Sequence, residues 1–91
     1  MTTTNEIREN EYDDRGNLIY YRNSDGVETW REYDERGKLI HVRTSDGYEA
    51  RYEYDDRGNE IHFRDSDGFE DWHEYDENGK RIKTRTERTY L

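Results

Sequence analysis

Apolar and polar positions alternate along this chain in short bursts, and each burst ends at a glycine. The stretches Val27-Glu-Thr-Trp30-Arg-Glu-Tyr33 and Leu39-Ile-His-Val-Arg43 are short, β-branched and aromatic. That pattern predicts strands. A glycine-containing turn falls every ten or eleven residues, which leaves too little chain for a stable helix. The absence of proline suits uninterrupted strands.

The bursts repeat with a period of 21. Glu11-Tyr12-Asp13 returns as Glu32-Tyr33-Asp34, Glu53-Tyr54-Asp55 and Glu74-Tyr75-Asp76, and Ser-Asp-Gly stands at 24–26, 45–47 and 66–68. A period of this length predicts an array of one supersecondary unit. Ser-Asp-Gly fits a three-residue hairpin loop with an αL glycine, which sets Arg22 opposite Glu28. Asp-x-x-Gly reads as a four-residue loop, which sets Tyr12 opposite Asn17. The expected fold is therefore all-β: an eight-stranded antiparallel meander of 21-residue hairpin repeats, curled or closed into a small barrel-like sheet. Its strands are expected at about 6–12, 17–23, 27–33, 38–44, 48–54, 59–65, 69–75 and 80–86. Residues 1–5 are expected to be disordered and residues 6–91 to form one domain.

That register assigns the two faces. Ile19, Ile40, Ile61 and Ile82, with Tyr21, Val42 and Phe63, share face A and are the expected core. Face B carries an ion ladder of Arg22, Glu28, Arg43, Glu49, Arg64, Glu70 and Arg85. Beside it runs a row of Glu9, Tyr20, Trp30, His41, Arg51, His62, Trp72 and Lys83. Glu53, Glu60 and Glu74 fall in a further face B row. Strand one is acidic and strand eight basic, which favours closure or edge pairing between two chains.

Composition changes this picture only in part. Few residues are aliphatic and the formal charge is −9, a balance typical of disorder. The nine tyrosines and two tryptophans supply the missing apolar area. With no cysteine, disulfides and thiolate sites are excluded. No segment resembles a signal peptide or membrane span, and the expected location is cytoplasmic. The acidic balance argues against direct binding to nucleic acid or membrane.

Tyr-Asp-x-x-Gly-Asn-Leu-Ile, then Asp-Gly, then an aromatic before the next Tyr-Asp, resembles the YD repeat of RHS-type proteins. The match spans residues 11–82, about three and a half repeats. It is good at Tyr12-Asp13-Asp14-Arg15-Gly16-Asn17-Leu18 and from Tyr33 and Tyr54, and weaker at Tyr75, where Lys80-Arg81 replaces Asn-Leu. RHS proteins are large, with many repeats spiralling into a shell around a toxin or adhesion domain. The resemblance implies their hairpin geometry. Four repeats are too few to enclose anything.

No catalytic set is evident, so the chain is expected not to be an enzyme, and no cofactor or metal is expected. Asp65-Ser-Asp67-Gly68 and Asp76-Glu-Asn78-Gly79 are similar to pieces of calcium loops but lack the full run of ligands. Two binding surfaces stand out. One is an acidic loop edge of Asp13, Asp14, Asp34, Glu35, Asp55, Asp56, Asp76 and Glu77, a regular carboxylate array able to stand in for a phosphate backbone. The other is an aromatic strip of Tyr20, Trp30, His41, His62 and Trp72. The expected function is a non-enzymatic acidic module that occupies a basic, nucleic-acid-binding surface of another protein. A phage or mobile-element anti-defence inhibitor, of the anti-CRISPR or anti-restriction kind, is such a module. The rival expectation is a structural repeat protein, a short relative of RHS arrays without a dedicated target. Besides a basic protein, a homodimer is an expected partner arrangement.

Overall fold

The computed structural model describes residues 9–89, with Glu9 described by its backbone alone. Eight strands follow one another: β1 (Glu9–Tyr12), β2 (Leu18–Arg22), β3 (Glu28–Tyr33), β4 (Leu39–Thr44), β5 (Glu49–Tyr54), β6 (Glu60–Asp65), β7 (Phe69–Tyr75) and β8 (Arg81–Arg88). They form one antiparallel meander in sequence order, and no helix occurs among the described residues. The part of the first expected strand at 6–8, and the expected disorder of 1–5, lie outside the described residues.

Every glycine has positive φ, from 82° to 105°, as the αL slots of the turns require. The Ser-Asp-Gly turn is the expected three-residue loop, and the Asp-x-x-Gly turn differs from expectation. Across Ser24-Asp25-Gly26, the Asn23 N–H donates to Val27 C=O at 3.1 Å and the Gly26 N–H to Asn23 C=O at 3.0 Å. Across Asp14-Arg15-Gly16, the Asp13 N–H donates to Asn17 C=O at 2.9 Å and the Gly16 N–H to Asp13 C=O at 3.0 Å. The two patterns are the same. Both turns are three-residue loops, and the four-residue loop read from the sequence is not formed. The residue before each Asp-containing loop explains why. Asp13 Oδ1 accepts the Arg15 and Asn17 N–H groups, each at 2.9 Å. Asn23 Oδ1 does the same for Asp25 and Val27 at 2.9 and 3.1 Å. A side-chain acceptor at this position closes the loop one residue earlier.

The residue removed from the loop reappears as a β-bulge. Tyr12 pairs with Leu18, but Glu11 pairs with Tyr20, so Ile19 is the extra residue. The same shift leaves Ile40 and Ile61 unpaired, and Ile82 between β7 and β8. A bulge and a shorter loop conserve the period of 21, but they move the pairing of Tyr12 by one residue and the pairings beyond the bulge by two, as in the other bulged hairpins. Pairing across Ser-Asp-Gly is as expected, with Tyr20 opposite Trp30 and Arg22 opposite Glu28. Across the bulged hairpins it is not: Trp30 faces Arg43, Arg51 faces Arg64, and Trp72 faces Arg85. The continuous ion ladder is therefore broken into separate Arg–Glu pairs. Where the slip is by two, side chains keep their faces, and the residues just before each bulge, such as Glu60, change theirs.

The sheet is open. β1 pairs only with β2 and β8 only with β7, and the principal extents are 57 × 37 × 17 Å. The barrel-like closure expected from the sequence is not formed. A closed interior would have to bury the face A groups Arg31, Asp65 and Asp71, and unpaired buried charges are costly. Neither face is then a closed core. Ala50, at 1% exposure, is the one buried apolar residue among those described, and His73, at 9%, is the one buried polar residue among them. Ile19, Ile40, Ile61, Tyr21, Val42 and Phe63 are only half-buried, as are Trp30 and Trp72. Ile82 departs furthest from expectation, at 61% exposure. It lies on the edge strand, where every residue is exposed.

Successive repeats are tied by more than the ladder. Tyr33 Oη donates to Leu18 C=O at 2.8 Å, Tyr54 to Leu39 at 2.7 Å and Tyr75 to Glu60 at 2.7 Å. Each acceptor lies fifteen residues earlier, next to a bulge. On the loop edge, Arg15, Arg36 and Arg57 donate to the carbonyls of Glu35, Asp56 and Glu77, one repeat on. On the opposite edge, Ser45 and Ser66 accept the Glu28 and Glu49 N–H groups, each at 2.9 Å.

Candidate functional site

The acidic edge divides into two sets of carboxylates. Asp13, Asp34, Asp55 and Asp76 are half-buried and each caps its own loop. Asp14, Glu35, Asp56 and Glu77 follow them and are exposed. Only the second set is presented outward. Arg15, Arg36 and Arg57 run between them and reach the next loop's backbone. An open groove lies between the loops at 34–37 and 55–58, and Tyr52, Tyr54 and Ile40 help to line it.

The capping geometry sets the titration of the first set. The Asn17 amide holds the Asp13 carboxyl below the usual carboxylate range. Lys38 and Asn59 backbone amides do the same for Asp34 and Asp55. A depressed folded pKa means stabilisation that is complete above the unfolded value of about 4 and lost as pH falls through the folded values. Stability in urea should therefore decline below about pH 4. The joint change Asp13→Asn, Asp34→Asn and Asp55→Asn keeps the acceptors and should flatten that decline. Identical acid profiles for the two proteins would refute the assignment.

The aromatic strip does not form one row. Tyr20 and Trp30 remain neighbours, their ring centroids 5.8 Å apart, and so do His62 and Trp72 at 5.6 Å. The two-residue slip separates Trp30 from His41 by placing Arg43 opposite Trp30. The Arg43 guanidinium lies 4.2 Å from the Trp30 ring centroid, and Arg85 lies 4.0 Å from that of Trp72. Both indoles are thus covered by cations from within the chain.

The histidines occupy a repeated setting that the sequence reading missed. His41 Nε2 is 2.6 Å from Glu49 Oε2, with Glu32 Oε2 3.4 Å from Nδ1. His62 repeats this with Glu70 at 2.6 Å and Glu53 at 3.3 Å. Tyr20 takes the same place in the first repeat and donates to Glu28 at 2.6 Å. The signal was a Tyr or His eight residues before a Glu in each repeat. The His41 hydrogen bond holds the Glu49 carboxyl below its ordinary range. Glu60 does not join Glu53 and Glu74. The bulge turns it toward His73, with Oε2 3.8 Å from Nε2, so the expected row of three carboxylates is not formed. Tyr48 Oη donates to Asp65 at 3.1 Å, and burial together with that carboxylate pushes its hydroxyl up to about 12. The Asp65 Oδ1 atom also caps its own loop through the Asp67 and Phe69 amides. Among the described residues, no group of three or more His, Asp or Glu is placed to hold a metal ion.

A family model described as RHS Repeat matches residues 33–70. A search of curated proteins returned no significant match. The matched stretch holds two Tyr-Asp-x-x-Gly turns, the hydroxyl of Tyr54 on Leu39 and the bulges at Ile40 and Ile61. The flanking repeats reproduce that geometry, and the match together with the hairpin meander fits a repeat of the RHS or YD type.

Proposed function

We propose that this chain is a structural repeat protein, a short YD sheet that acts as a scaffold rather than as a catalyst. One observation carries the reading. The tyrosine hydroxyl link recurs at Tyr33, Tyr54 and Tyr75, so the residue that marks each repeat joins it to its neighbour. Stability should then grow with repeat number, as for other quasi-one-dimensional arrays. Inserting a second copy of residues 34–54 after Tyr54 should give a folded β protein with a higher unfolding free energy and a larger denaturant m-value. An insertion that unfolds the chain would overturn the reading.

A second reading is favoured by the exposed set Asp14, Glu35, Asp56 and Glu77 on a chain of charge −9. It is a cytoplasmic acidic module that binds a basic protein surface, as an inhibitor of a nucleic-acid-handling protein of the anti-defence kind does. Such a partner would be captured from a lysate in stoichiometric amount and released by salt. The fourfold change Asp14→Asn, Glu35→Gln, Asp56→Asn and Glu77→Gln should leave the fold intact and abolish capture. A partner that survives both salt and the amides would exclude this reading.

A further inference from the structure

The two margins of the sheet are unfinished in complementary ways. β8 is exposed along its whole length and carries Arg81, Lys83, Arg85 and Arg88. Glu87-Arg88-Thr89 stands where the other repeats have Ser-Asp-Gly, and the strand continues to Arg88. β1, at the far margin, carries Glu9 and Glu11. We propose that copies of this chain add head to tail, β1 of one copy pairing with β8 of the next in the register of the Ser-Asp-Gly hairpins. This rests on the structural-array reading and names the partner as a second copy.

Repeat equivalence fixes the register. Tyr20, His41 and His62 face Trp30, Arg51 and Trp72. Lys83 is the next member of the first set, and Glu9 is the member of the second set that precedes Trp30. Docking therefore brings Glu9 opposite Lys83, a favourable cross-strand charge pair. The tyrosine link completes itself in the same arrangement. Tyr33, Tyr54 and Tyr75 donate to the carbonyls of Leu18, Leu39 and Glu60. The next carbonyl in that series belongs to Arg81, on the open strand. The equivalent tyrosine of β1 is Tyr12, which is 57% exposed. One copy thus supplies the donor and the next the acceptor. Unpaired edge strands template such addition. The contact is heterologous, so it propagates rather than stopping at a dimer.

Sedimentation velocity over a concentration series tests this, with circular dichroism and urea unfolding of each protein as the check on folding. The wild type should pass from the 11.2 kDa chain to species beyond the dimer. Glu9→Lys or Lys83→Glu alone sets like charges opposite and should weaken association roughly tenfold. An equimolar mixture of the two restores an opposite pair at every junction and should recover assembly. Tyr12→Phe leaves charge unchanged and should weaken association roughly fivefold. A folded wild type that stays monomeric throughout overturns the proposal while leaving the array reading to its own insertion test. A dimer that goes no further overturns it, as does association indifferent to these changes or single variants whose mixture stays monomeric. A wild type without β structure overturns both readings.

Discussion

Gly68→Ala is expected to be the most damaging of the glycine replacements, at about 3 kcal/mol. Two costs combine there. Gly68 has φ +92°, and an L side chain in this region carries strain of roughly 1–2 kcal/mol. A Cβ at Gly68 would also lie 2.2 Å from the Thr89 carbonyl oxygen, a backbone atom. The Thr89 N–H donates to Gly68 C=O at 2.7 Å, so relieving the clash breaks the bond that holds the end of β8. Gly16 is the natural control. It has φ +86° and nothing within 4 Å of its would-be Cβ, so Gly16→Ala should cost only the strain. Urea unfolding of both variants, with hydrogen exchange at Thr89, separates the two terms. Equal destabilisation at the two sites would mean that the β8 end yields without cost.

The joint replacement Tyr33→Phe, Tyr54→Phe and Tyr75→Phe is expected to cost about 1.5–4.5 kcal/mol, the sum of three hydrogen bonds worth about 0.5–1.5 kcal/mol each. The three sites have different partners in different repeats, so their effects should add. For a domain with a total stability of roughly 5–15 kcal/mol, that is a large share. The rings stay in place, so the loss reports the hydroxyls. Tyr12→Phe, at the equivalent position of β1, where no such link is formed among the described residues, should leave the unfolding midpoint of the dilute protein nearly unchanged. If the triple variant is as stable as the wild type, the tyrosines act only through their rings, and the link between repeats lies elsewhere.

Much of the fold could be read because strands, glycines and Ser-Asp-Gly turns carry local signals. Gly26 and Gly37 need φ > 0 whatever surrounds them, and the pairing of Arg22 with Glu28 follows from loop length. The bulges were hidden because Ile19 in a strand and an extra residue in a loop give the same period. Asp13, Asp34, Asp55 and Asp76 held the answer. Each stands three residues before a glycine, as Asn23, Thr44 and Asp65 do before theirs, which marks one turn type and not two. The missed register carried the site with it. Trp30 was placed beside His41 and is instead covered by Arg43. Likewise, the acidic edge was read as eight equivalent charges. Whether a carboxylate caps its loop depends on hydrogen bonds that charge counting cannot see.

The two-residue slip also gives the sheet a shear. A cross-strand row gains two residues on the repeat at every second strand, about 6.7 Å along the chain for every 9.6 Å across it. Equivalent residues therefore line up on an axis tilted by about 35° from the perpendicular to the strands. Asp14, Glu35, Asp56 and Glu77 do not sit at two strand spacings. They step along that slant at about 12 Å, so a surface that matches one exposed carboxylate meets the next only if its own charges share both the longer pitch and the tilt.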